Sequence, residues 1–92
     1  MHVAQVEIYS DAMNYVVMKH PGRKFPGSLI QGDSLSVLCS LADEACAEAR
    51  SSGSKEAFES MNEPRNSLWD RLNHYSQVLE EHNIPLPFNR VP

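Results

Sequence analysis

Cysteine is scarce in this chain: Cys39 and Cys46 are the only two in 92 residues. On one helix, seven residues apart, their Cα atoms would stand about 10 Å from each other, beyond the ~7 Å that a disulfide tolerates. They read as small core residues kept reduced. Long apolar runs are missing as well. None approaches the ~20 residues of a membrane span, and Met1-His2-Val3-Ala4-Gln5 lacks the basic and apolar regions of a signal peptide. The expectation is a cytoplasmic protein with no membrane contact. Basic residues are in the minority, eight Lys and Arg against twelve Asp and Glu, for a net charge of −4. A general nucleic-acid binder needs a basic stripe to displace counterions, so that class is excluded. Aromatic residues are few, one Trp, three Phe and three Tyr. A chain this short buries only about 60–65% of its unfolded surface, so folding must use nearly every large apolar side chain. There is no internal repeat, no low-complexity segment and no Gly-rich phosphate loop.

What is present is patterned. The charge is uneven: residues 1–32 carry Lys19, Arg23 and Lys24 against Glu7 and Asp11, a net +1, whereas residues 33–92 carry five bases against ten acids, a net −5. Residues 3–9 alternate, with Ala4, Val6 and Ile8 pointing one way and Gln5, Glu7 and Tyr9 the other, as in a half-buried strand. Residues 14–19 are apolar on both faces around Val16 and Val17, which predicts an inner strand. Two Pro-Gly pairs follow, at Pro21-Gly22 and Pro26-Gly27, and each favours a tight turn. Residues 28–31 make a third short strand.

Asp33 reads as the N-cap of a helix over 34–50. Its apolar stripe runs through Leu35, Leu38, Ala42, Ala45 and Ala49, widened by Cys39, Leu41 and Cys46; Ser36, Ser40, Asp43 and Arg50 fall opposite. The small residues at 42, 45, 46 and 49 would let it lie close on the sheet. Ser51-Ser52-Gly53-Ser54 ends it. A short helix is expected over 55–61, then a break, because Pro64 suits the first turn of a new helix capped by Asn62 or Glu63. That helix, 65–82, carries Leu68, Leu72, Tyr75, Leu79 and His82 on one side, with Asn83 as its left-handed C-cap. The tail Ile84-Pro85-Leu86-Pro87-Phe88 should be extended and packed down. The expected fold is a single α+β domain over 1–92, a short antiparallel sheet of two or three strands covered on one face by two main helices.

Three constellations carry possible chemistry. Gly32-Asp33-Ser34-Leu35 spells the nucleophile signature of a serine esterase group. The chain scarcely has room for that fold's parallel sheet, the partner Asp-x-x-His is missing, and a helix start explains the same residues. Asp70 and His74 share a helix face but lack a third metal ligand, so no metal and no cofactor is expected. His20, Arg23 and Lys24, with Phe25 beside them, cluster at the doubled Pro-Gly turn, where turn amides and cations could hold a phosphate or carboxylate.

At His20-Pro21-Gly22-Arg23-Lys24-Phe25-Pro26-Gly27 and Gln31-Gly32-Asp33-Ser34-Leu35 the sequence resembles a family of small bacterial proteins with no assigned activity. The strand before, the helix after and the Ile84–Phe88 tail resemble it too. That resemblance implies a bacterial source and nothing chemical. Small size, acidity and the incomplete catalytic sets lead to the expectation of a non-enzymatic protein-binding domain, of an immunity or accessory type, with a homodimer through a sheet edge as a further possibility. The alternative is a small ligand-binding domain or enzyme acting on an anionic ligand through His20, Arg23, Lys24, Phe25, Asp33 and Ser34.

Overall fold

A computed structural model describes residues 1–13 and 15–89. Among these the elements are β1 (Glu7–Ser10), β2 (Val16–Lys19), β3 (Gly27–Leu29), α1 (Gly32–Ser51) and α2 (Lys55–Glu81). The chain is α+β, as its patterning requires, with one three-stranded antiparallel sheet and two helices. It forms two compact units, Met1–Gln31 and Gly32–Pro92.

In the first unit the strand order is β1-β2-β3, so Val16-Val17-Met18 does form the central strand. Glu7 pairs with Lys19 and Ile8 with Met18; then Ser10 pairs with Val17, leaving Tyr9 as the extra residue of a bulge. Met18 pairs onward with Gly27, Val17 with Ser28 and Val16 with Leu29. Side chains of directly opposed residues share a face. Ile8, Val16, Met18 and Leu29 therefore make an apolar face, and Glu7, Val17, Lys19 and Ser28 a mixed one. The strands are shorter than the expected 3–9, 14–19 and 28–31. Residues 3–6 have the right alternation but nothing to pair with, because β2 ends at Lys19 and Pro21 carries no N–H for a ladder. Asn14 lies outside the described residues. On the far side of that position Met13 takes a left-handed φ of 57°, and the Tyr15 amide donates to the Ala12 carbonyl at 3.3 Å.

The Tyr9 hydroxyl donates to Glu7 Oε2 at 2.8 Å. Its pKa is raised, first by that hydrogen bond and then by the Glu7 charge. A raised folded-state value means the folded form holds the proton more tightly. The resulting stabilisation is complete below the ordinary tyrosine pKa and is lost as pH rises through the folded one. Glu7→Gln should bring the Tyr9 titration back toward the ordinary value; NMR titration of its ring protons measures the shift, and an unmoved midpoint would contradict the contact.

In the second unit Ser52-Gly53-Ser54 joins α1 and α2. Gly53 provides the left-handed turn, φ 76°, and Ser54 caps α2 by accepting from the Ala57 amide at 3.2 Å. α2 then runs without a break to Glu81, through Pro64, which corrects the expected division into 55–61 and 65–82. A helix-interior proline costs about 3 kcal/mol and frees the carbonyl four residues back. Both Pro64 and Ser60 are exposed, so that carbonyl meets water, and α2 is held against α1 on both sides of the proline. The helix ends at the His82 cap, with Asn83 left-handed at φ 57°. The amide of Ile84 returns to the Leu79 carbonyl at 2.9 Å and that of Asn83 to Glu80 at 3.2 Å, the double bond pattern of a left-handed helix stop.

The core of this unit is Leu35, Cys39 and Leu72, with Leu68, Trp69, Tyr75 and Phe88 packed around it. Phe88 stacks on Tyr75 with ring centroids 6.4 Å apart. Cys46 and Ala49 extend the buried side of α1, and Cys46 shares a cleft with Phe58 of α2. These small residues therefore serve helix–helix packing. The expected stripe is rotated: Leu38 and Leu41 are exposed, while Asp43, placed opposite by its spacing, turns toward α2. Its Oδ1 accepts from Arg65 Nε at 2.6 Å and from Trp69 Nε1 at 3.0 Å. With both charged groups more than a third exposed, the ion pair itself contributes at most about 1 kcal/mol.

Candidate functional site

The His20–Ser34 segment divides between the two units. Asp33 and Ser34 lie in the first turn of α1, which starts one residue before Asp33. Asp33 is thus a first-turn residue rather than the cap, and its Oδ1 accepts from the Ser34 amide at 2.8 Å. Gly32 is buried, and a Cβ built on it would overlap the Tyr75 ring. The esterase-like spelling therefore has two structural causes: a glycine that admits Tyr75, and an acid at the positive end of a helix.

His20, Arg23 and Phe25 come together in the first unit. The Arg23 amide donates to the His20 carbonyl at 3.0 Å, closing a turn over Pro21-Gly22. The Gly22 amide donates to His20 Nδ1 at 3.0 Å, so Nδ1 is the acceptor. Lys24 Nζ stands 5.5 Å from the Phe25 ring centroid. The second Pro-Gly is not a turn: Gly27 opens β3 opposite Met18. Neither Gly22 nor Gly27 takes a positive φ, against the turn chemistry expected of both. Gly27 instead leaves space, since a Cβ there would meet nothing within 4 Å.

That space is part of a hollow of about 210 Å³ against Met18, Gly27, Leu29 and Phe25, with His20 and Arg23 at its margin. It has an apolar floor, a guanidinium and an imidazole on its rim, and a strand, β3, that among the described residues pairs on one side only. Such a site can take an apolar side chain and a neighbouring carboxylate together. Met18 and Leu29 were not singled out by the sequence as site residues, and Gly27 was read only as a turn residue. The doubled Pro-Gly was the available signal, and it marked the place while misstating the reason.

Other candidates resolve simply. Cys39 is fully buried, and burial, then the Asp43 charge, pushes its thiol pKa up, so it stays protonated and a poor nucleophile. Asp70 and His74 are exposed, and among the described residues no group of three His, Cys, Asp or Glu is placed to hold a metal. No helix among the described residues is long and apolar enough to cross a membrane.

No curated protein and no solved structure matches the chain. A family match spans residues 1–88, and so includes the hollow, α1, α2 and Phe88: the chain belongs to the Family of unknown function (DUF6959).

Proposed function

We propose that the protein is a protein-binding domain that takes an extended segment of its partner along β3. The observation that carries this reading is the hollow beside an edge strand. Among the described residues β3 is paired with β2 alone, which supports its outward N–H and C=O groups being available to a further strand. An apolar side chain of that strand would fill the space over Gly27, Met18 and Leu29. A carboxylate next to it would meet Arg23 and Lys24, in the one part of the chain with a net positive charge. An immunity or accessory role is the finer form of this proposal, supported by small size and acidity, and a cytoplasmic setting is supported by the two free thiols. The second reading, a small anionic ligand on His20, Arg23 and Lys24, rests on His20 and Arg23 of that rim and on Lys24 beside the Phe25 ring, without the strand.

Selection from a displayed library of short random peptides tests the proposal. Enriched peptides should pair an apolar residue with a neighbouring Asp or Glu. Arg23→Ala should weaken them at least about tenfold, or 1.4 kcal/mol. Gly27→Leu should abolish binding while leaving the melting temperature unchanged or slightly higher, because Leu enters open space and suits a strand better than Gly. No enrichment, or equal binding by the variants, would overturn the reading; self-association by light scattering, lost in Gly27→Leu, would make a second copy the partner.

A further inference from the structure

α1 and α2 enclose a second concavity, of about 180 Å³, in which Arg50 and Arg65 face a single carboxylate, Asp43. This surplus of positive charge sits in the half of the chain whose net charge is −5. Asp43 is already engaged, with Arg65 Nε and Trp69 Nε1 both on Oδ1. Arg65 is further pinned by its Nη1 bond to Asn66 Oδ1 at 3.1 Å, which leaves Nη2 with no acceptor among the described residues. Arg50 lies with Cζ 4.6 Å from the Phe58 ring centroid and has no carboxylate partner among the described residues. A guanidinium laid on an aromatic ring is oriented and partly stripped of water while its N–H edge stays free. Asn62 is half-buried on the same wall, and its side-chain amide makes no hydrogen bond among the described residues. Cys46 and Phe58 give the cleft an apolar back.

We infer that this cleft binds a small oxyanion, the carboxylate or phosphate head of a compact ligand, between Arg50, Asn62 and the free edge of Arg65. The donors are preset by Phe58 and Asp43, so little side-chain freedom is lost on binding. The Asp43–Arg65 pair orients the second arginine, and Arg50 supplies the uncompensated charge. Nothing in this site depends on the β3 hollow, which lies in the other unit.

Titration of the full chain with inorganic phosphate, and separately with butyrate, at constant ionic strength and followed by NMR of backbone and side-chain N–H groups, tests the inference. One or both should give saturable shifts at Arg50, Asn62 and Arg65, with a dissociation constant of about millimolar order. Saturation by phosphate alone assigns a phosphate head, and saturation by butyrate alone a carboxylate. Arg50→Gln and Asn62→Asp should each weaken binding about tenfold or more, the loss of a charge-assisted contact, while Arg23→Ala should leave it unchanged. Shifts that fail to saturate, that chloride reproduces, or that persist in Arg50→Gln would overturn it. Arg50 is exposed, so its replacement leaves the helical core in place, and Asn62→Asp provides an independent variant that keeps side-chain size.

Discussion

Leu72→Ala should lower the unfolding free energy of the helical unit by about 3 kcal/mol. Leu72 is 3% exposed and sits with Leu35 and Cys39 at the centre of the core. Removing its branch takes apolar surface out of a packed site and leaves a cavity that Trp69, Tyr75 and Phe88 fill only partly. The effect is large because there is little else. Among the described residues the buried apolar side chains are Leu35, Cys39, Cys46, Ala49 and Leu72, and a domain of this size has only about 5–10 kcal/mol in all. Urea denaturation followed by helix ellipticity measures the loss. At a typical slope of about 1–3 kcal/mol per molar, the midpoint should fall by about 1–3 M. Leu41→Ala is the control: Leu41 is 55% exposed and should cost less than about 1 kcal/mol. Equal losses from the two would show that the core has been put on the wrong face of α1.

Gly32→Ala should destabilise by about 2 kcal/mol, and here the sign is the test. Helix propensity alone favours Ala over Gly by up to about 1 kcal/mol, so a reading of α1 from composition expects a gain. The added methyl would overlap the Tyr75 ring, which is backed by Phe88 and cannot retreat freely; overpacking of this kind costs about 1–3 kcal/mol. In a Tyr75→Ala background the clash is gone, and Gly32→Ala should become neutral or stabilising. The coupling in that double-mutant cycle should be about 2–3 kcal/mol. A stabilising single mutant, or a coupling near zero, would separate Gly32 from Tyr75.

Much of the fold was legible where short-range chemistry is decisive. Val16-Val17-Met18 reads as an inner strand because it is apolar on both faces. Leu68, Leu72 and Tyr75 read as one helix stripe because they recur at helical spacing. Asn83 reads as a left-handed stop because a short amide side chain tolerates that backbone. The candidate site was legible only as a location. His20, Arg23 and Phe25 do meet, but Asp33 and Ser34 fall in the other unit, and the floor of the hollow is made by Met18, Gly27 and Leu29.

What the sequence by itself determined is the three strands and the first helix, the order of strand and helix segments, and the segment where cations and glycines gather. All three follow from periodicity, turn residues and charge, which act over a few neighbours. Tertiary structure decided which way the patterns face. Pro64 stays inside a helix because packing on both sides, with its freed carbonyl in water, offsets its cost. Asp43 turns inward because Arg65 and Trp69, 22 and 26 residues away, offer it donors. Gly32 is required by a ring 43 residues distant in the chain. Each of these depends on a partner far along the chain, and local spacing holds no information about which partner that will be.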